Sequence, residues 1–167
     1  VLVNGALGNM GRAAVTAISA DPHLSLAAAL DKNDGLTTYL TSHTDIDVVV
    51  DLTHPSCVYD NVHTSLANGC HAVVGTTGLT EDQLSDLNDL AITKEKAVIV
   101  CPNFAIGAIL MMRFAQEAAT LMDRCEIIEY HHDKKADSPS GTAIKTAELI
   151  AESNNKINTP KLTETEL

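Results

Sequence analysis

The chain opens with a short β-rich run at residues 1–3, stops at Asn4-Gly5, and continues into a helical stretch from about 11 to 20. That strand–turn–helix unit is the first of a series. Further β-rich runs at 25–30, 46–52, 71–74 and 97–101 alternate with helical stretches, one at 56–68 closed by Gly69 and one capped by Thr80 with Gln83 completing a capping box. Strands separated by helices return in the same direction, so the alternation predicts a doubly wound α/β fold on a parallel sheet. The Val-rich run at 46–52 is expected at the sheet centre, where both faces are buried. A long apolar helix, mostly buried, is expected over 106–122.

With 167 residues the chain can form one domain with a substantial core, or one domain and part of another. The rhythm changes at Cys125, which divides the chain into a domain at 1–124 and the start of a second at 125–167. Strand-like residues 126–129 and a helix opened by Pro139 at its first position, with Ala143, Ala147 and Ile150 on one face, cannot bury both their faces. The second domain is therefore expected to be incomplete, the chain being a fragment truncated at its C-terminus. Aliphatic side chains must fill the interior, because 45% of residues are hydrophobic but only 3% aromatic, and Trp is absent. The formal net charge of −11 and the lack of a basic stripe argue against a nucleic-acid partner. No apolar run reaches bilayer length and no signal layout precedes the first strand, so a soluble, cytoplasmic protein is expected. Four cysteines without a C-x-x-C pair suit reduced thiols.

Gly5, Ala6, Leu7, Gly8, Asn9, Met10 and Gly11 form G-x-x-G-x-x-G, a variant of the G-x-G-x-x-G turn that cradles a dinucleotide pyrophosphate. A strand before it, a helix after it, and Asp31 at the end of the second strand make the context that of a Rossmann-like fold. Asp31 can accept hydrogen bonds from ribose hydroxyls, and Lys32 could meet a 2′-phosphate. Gly75, Thr76 and Thr77, and Cys101, Pro102, Asn103 and Phe104, follow later strands at the end of the sheet where such folds bind ligands. These residues are candidates for holding the cofactor.

Residues 129–143 bring together His131, His132, Lys134, Lys135, three carboxylates and a Ser140-Gly141-Thr142 helix opening. Imidazoles and an ammonium can move protons near neutral pH, and the free N–H groups of a helix start can hold a carboxylate. A zinc site using His131, His132 and Asp137 is the competing arrangement. It is set aside because no Cys ligand lies nearby.

Taken together, residues 5–12, 51–55, 74–78, 102–107 and 129–143 resemble one family, dihydrodipicolinate reductase, also called 4-hydroxy-tetrahydrodipicolinate reductase. The His-His-x-x-Lys-x-Asp-x-Pro-Ser-Gly-Thr-Ala pattern is highly specific to that family, and residues 51–55 and 71–75 look actinobacterial. The resemblance implies hydride transfer from NADH or NADPH to a cyclic imine dicarboxylate in lysine and diaminopimelate biosynthesis. It also implies acid/base roles for His131 and Lys135, and contacts to the substrate carboxylates from His132, Ser140, Gly141 and Thr142. The substrate-binding domain of the family is α+β and assembles full-length members into homotetramers. This chain departs from the family at Leu7 and Asn9, where Lys or Arg is common, and at Leu52, where Phe is common. A non-catalytic NAD(P)-binding regulatory or degenerate module is the alternative reading.

Overall fold

In the computed structural model, which describes residues 1–101, 103–131 and 139–158, five strands form one parallel sheet. These are β1 (Leu2–Asn4), β2 (Ala28–Leu30), β3 (Val48–Asp51), β4 (His71–Val74) and β5 (Val98–Val100), in the spatial order β2-β1-β3-β4-β5. Val3 pairs with Ala29 on one side and Val50 on the other, and Val73 pairs with Val50 and Ile99. The Val-rich strand does lie at the centre. Strand order reverses between β1 and β3, which opens a crevice beyond their carboxyl ends.

The crossovers are α1 (Asn9–Ala20), α2 (Leu36–Ser42), α3 (Val58–Ala67) and α4 (Glu81–Thr93). Because side chains alternate along a strand, Leu2, Val49, Ala72 and Val74 share one face. Leu36 and Leu40 of α2, Val58, Val62 and Leu66 of α3, and Leu87 and Ala91 of α4 cover it. On the other face Val3 meets Ala6 and Ile18 of the turn and α1. The capping box of α4 is present, with the Gln83 N–H donating to Thr80 Oγ1 and the Thr80 N–H to Gln83 Oε1.

Contacts group the chain into two units, Val1–Cys101 and Pro102–Leu167. The second unit contains α5 (Ile106–Ala119) and α6 (Gly141–Ser153), packed on one another. The second unit departs from the sequence expectation in four ways. Only Met112 and Ala119 of α5 are buried, because α6 covers one side and leaves Ile106, Ile109, Leu110 and Phe114 exposed. The helix also stops before residue 122, where the Asn154 side chain donates to the carbonyls of Ala119 and Met122. Residues 126–129 form no strand, since no described segment pairs with them. Pro139 lies one residue before the N-cap, Ser140, and Gly141 takes the first helical position.

Candidate active site

The Gly5 turn is shaped by backbone crowding. Gly5 has φ +86°, and a side chain there would run into the Leu52 carbonyl of the neighbouring strand end. A Cβ on Gly11 would collide with the Gly5 carbonyl and the Ala6 Cα, so this glycine lets α1 lie against β1. Gly8 is different. Its added Cβ would meet only Gly5 O, at 3.4 Å, so its smallness leaves open space above the turn. As the N-cap of α1 it offers no side-chain acceptor, and the first helical N–H groups are left for a ligand. The donor set fits a dinucleotide pyrophosphate.

Asp31 closes the far side of this turn. Its Oδ2 accepts the Leu7 N–H at 3.0 Å and its Oδ1 the Lys32 N–H at 2.9 Å, while its own N–H donates to Asp34. These backbone donors, Lys32 first and Leu7 second, hold the carboxyl below its ordinary range. Asp31, Lys32, Leu7 and Gly8 face a cavity of about 590 Å³ that His54 and Cys57 also line. A smaller cavity brings Gly75, Thr76 and Thr77 to Met10 and Pro55. Here the side chain of Thr76 turns inward. Its hydroxyl donates to Asp51 Oδ1 at 2.8 Å and accepts the Thr53 N–H at 2.8 Å.

Asp51 is a residue that sequence reasoning missed as an organiser of the site. Only 1% exposed, it accepts from Asn4 and Asn61 at Oδ2 and from Thr53 and Thr76 at Oδ1. One carboxylate thereby ties together the ends of β1 and β3, the loop after β4, and α3. The only sequence signal was a charged residue closing an otherwise apolar central strand.

In the second unit the start of α6 lines a cavity of about 570 Å³, together with Asn103, Glu129, His131 and Thr146. The Ser140 hydroxyl accepts the Ala143 N–H, which leaves the amides of Gly141 and Thr142 without a side-chain cap. Those amides stand at the positive end of the helix, a place for a carboxylate. Asn103 donates through Nδ2 to Thr142 Oγ1 at 3.0 Å and accepts the Ala105 N–H. Its amide thus organises the α6 start, a neighbourhood the sequence did not foretell. Glu129 Oε1 accepts the Ser140 N–H at 2.9 Å, and its Oε2 lies 3.7 Å from His131 Nδ1. Cys101 carries on the β5 ladder through its N–H to Val74 O, and Phe104 is exposed. His132, Lys135 and Pro102 lie outside the described residues. Among the described residues no cluster of three His, Cys, Asp or Glu is placed to hold a metal ion.

Comparison with known proteins decides the family. The model for the dihydrodipicolinate reductase N-terminus matches residues 1–104, and that for its C-terminus matches residues 107–166. The chain belongs to the dihydrodipicolinate reductase family. A 4-hydroxy-tetrahydrodipicolinate reductase of Mycobacterium sp. (strain KMS) is 49% identical over 89% of this chain and 60% of its own length. The homologue from Synechococcus elongatus is 40% identical over 99% of this chain and 70% of its own length. Among solved structures, the dipicolinate-bound dihydrodipicolinate reductase from Paenisporosarcina sp. TG-14 is 35% identical with a TM-score of 0.77, covering 99% of this chain and 70% of that one. Within the family the N-terminal segment is the NAD(P)-binding part, so the glycine turn and Asp31 fall in the segment where the cofactor is expected.

Proposed function

We propose that this chain carries the NADH- or NADPH-dependent reduction of the 4-hydroxy-tetrahydrodipicolinate-type cyclic imine to tetrahydrodipicolinate. The observation that carries the reading is the α6 start, where the Gly141 and Thr142 amides have no side-chain acceptor, beside a cavity lined by His131, in a chain matched by both family segments. Likeness to a reductase solved with dipicolinate supports a small dicarboxylate as the ligand of that cavity.

The cofactor, when bound, supplies the hydride. The uncapped amides of α1 bind its pyrophosphate, and Asp31 accepts from its ribose. At the other site the N–H groups of Gly141 and Thr142, with Ser140 beside them, hold one substrate carboxylate, and His132 contacts the other. Once the 4-hydroxyl has left as water to give the conjugated imine, hydride addition leaves an electron pair that a proton must quench and a cation stabilises while it develops. Lys135 supplies charge and proton, and His131 shares the proton transfer. The loop after β4, with Gly75, Thr76 and Thr77, contributes to the cofactor wall. In this reading residues 1–124 serve the cofactor and 125–167 begin the substrate-binding domain, and the full-length protein works in the cytoplasm as a homotetramer.

The test is oxidation of NADH and NADPH by the full-length protein with freshly synthesised imine. Turnover that falls by orders of magnitude in His131→Ala and Lys135→Ala is the expected result. A folded protein that binds cofactor but neither turns over nor binds pyridine-2,6-dicarboxylate would instead be the non-catalytic module.

A further inference from the structure

We infer that Glu129 is a positioning residue that couples the proton-transfer histidine to the carboxylate-binding helix start, an inference that rests on the reductase reading of the same cavity. The two oxygens of this side chain serve different partners. Oε1 accepts the Ser140 N–H at 2.9 Å and so fixes the residue that caps α6. Oε2 is buried and faces His131 Nδ1 at 3.7 Å. That separation is an ion-pair distance; shortening by about 0.7 Å on ligand binding would make it a hydrogen bond, and sites of this kind commonly tighten when occupied.

A carboxylate on Nδ1 has a defined consequence for an imidazole. It selects the tautomer with the proton on Nδ1, orients the ring, and leaves Nε2 as the atom that exchanges a proton with the substrate. The same side chain holds the Ser140 backbone, whose hydroxyl accepts the Ala143 N–H two residues beyond the open amide of Gly141. Glu129 thereby sets the spacing between the proton-transferring ring and the bound carboxylate. Both contacts are local to one unit and lie eleven and two positions from Glu129 in sequence.

Glu129→Gln separates the two functions. It keeps an oxygen for the Ser140 N–H but removes the charge facing His131. In the full-length protein, kcat for the imine should fall about 10- to 100-fold while KM for the imine and affinity for pyridine-2,6-dicarboxylate stay within about threefold. The same substitution in a His131→Ala background should cost little more, because the two residues act as a unit. Nitrogen-15 NMR of the His131 ring supplies a readout independent of turnover. The Nδ1–H tautomer should dominate in the parent protein and give way toward Nε2–H in Glu129→Gln. An unchanged tautomer, an unchanged kcat, or an equal loss in the presence and absence of His131 overturns the inference. If the parent protein does not reduce the imine yet shows the tautomer shift, the functional reading fails and the positioning role stands.

Discussion

At the carboxyl ends of β1 and β3 the buried Asp51 carboxylate accepts from two amide and two hydroxyl side chains, and every one of these partners is a donor. Asp51→Asn keeps the shape but aims an NH2 group at donors, which leaves buried polar atoms unpaired. Such a loss costs about 2–4 kcal/mol, since hydrogen bonds to charged groups are worth about 1.5–3 kcal/mol and unsatisfied donors add to that. Urea denaturation should show it, accompanied by weaker binding of NADH to the folded protein. The exposed Asp31 makes a different prediction. Its backbone donors lower its pKa, so their contribution is fully present above the unfolded carboxyl value of 3.8 and is lost only as pH falls through the lower folded value. A carbon-13 titration of the Asp31 carboxyl should have its midpoint below 3.8, and in Leu7→Pro, which removes one N–H donor, that midpoint should rise.

Among the elements, α1 depends on a glycine, Gly11, to lie against β1. Gly11→Ala inserts a methyl group against Gly5 O and Ala6 Cα, so either the helix moves off β1 or the turn opens. A destabilisation of about 1–3 kcal/mol, as for overpacking elsewhere, and a loss of NADH affinity measured by cofactor fluorescence are expected. Thr80→Ala is the matched control. It removes the capping box of α4 at a cost of about 1 kcal/mol and should leave cofactor affinity unchanged. The same contrast explains what could be read from sequence. Glycine turns and capping boxes are local, so three to six neighbouring residues specify them, and both were legible. The helix α2 was not. Leu36, Leu40 and the weak helix formers between them gain their stability from burial against β1 and β3, which no local pattern states. The Asp51 network joins positions 47, 25 and 10 apart and was equally invisible. For α5 the apolar pattern overstated burial, because α6 covers only part of its circumference.

For the molecule as a whole, the first unit has an uneven distribution of burial across its sheet. β3 is hydrogen-bonded on both sides, and Val49 and Asp51 are almost fully buried. β5 is an edge strand, and Ile99, which shares the α1-side face with Val50 and Val73, is 56% exposed. Opening free energy follows buried contacts, so local unfolding should begin at β5 and reach β1, β3 and the helix α3 last. Hydrogen exchange of the 167-residue chain is the measurement. Amides of Val49 and Val50 should exchange near the global unfolding limit, and those of Ile99 and Val100 at least tenfold faster. In the second unit, α5 amides beside exposed Ile106 and Ile109 should be faster than those beside buried Met112. The Gly5 turn follows β1 directly and is held by the Gly5 and Ala6 N–H groups donating to Leu30 O, and Thr76 in the loop after β4 is tied to the buried Asp51. Added NADH should therefore slow exchange in the Gly5 turn and at Thr76 and Thr77 while leaving Val49 unchanged. Uniform slowing across all five strands would mean that these loops are not anchored ahead of cofactor binding.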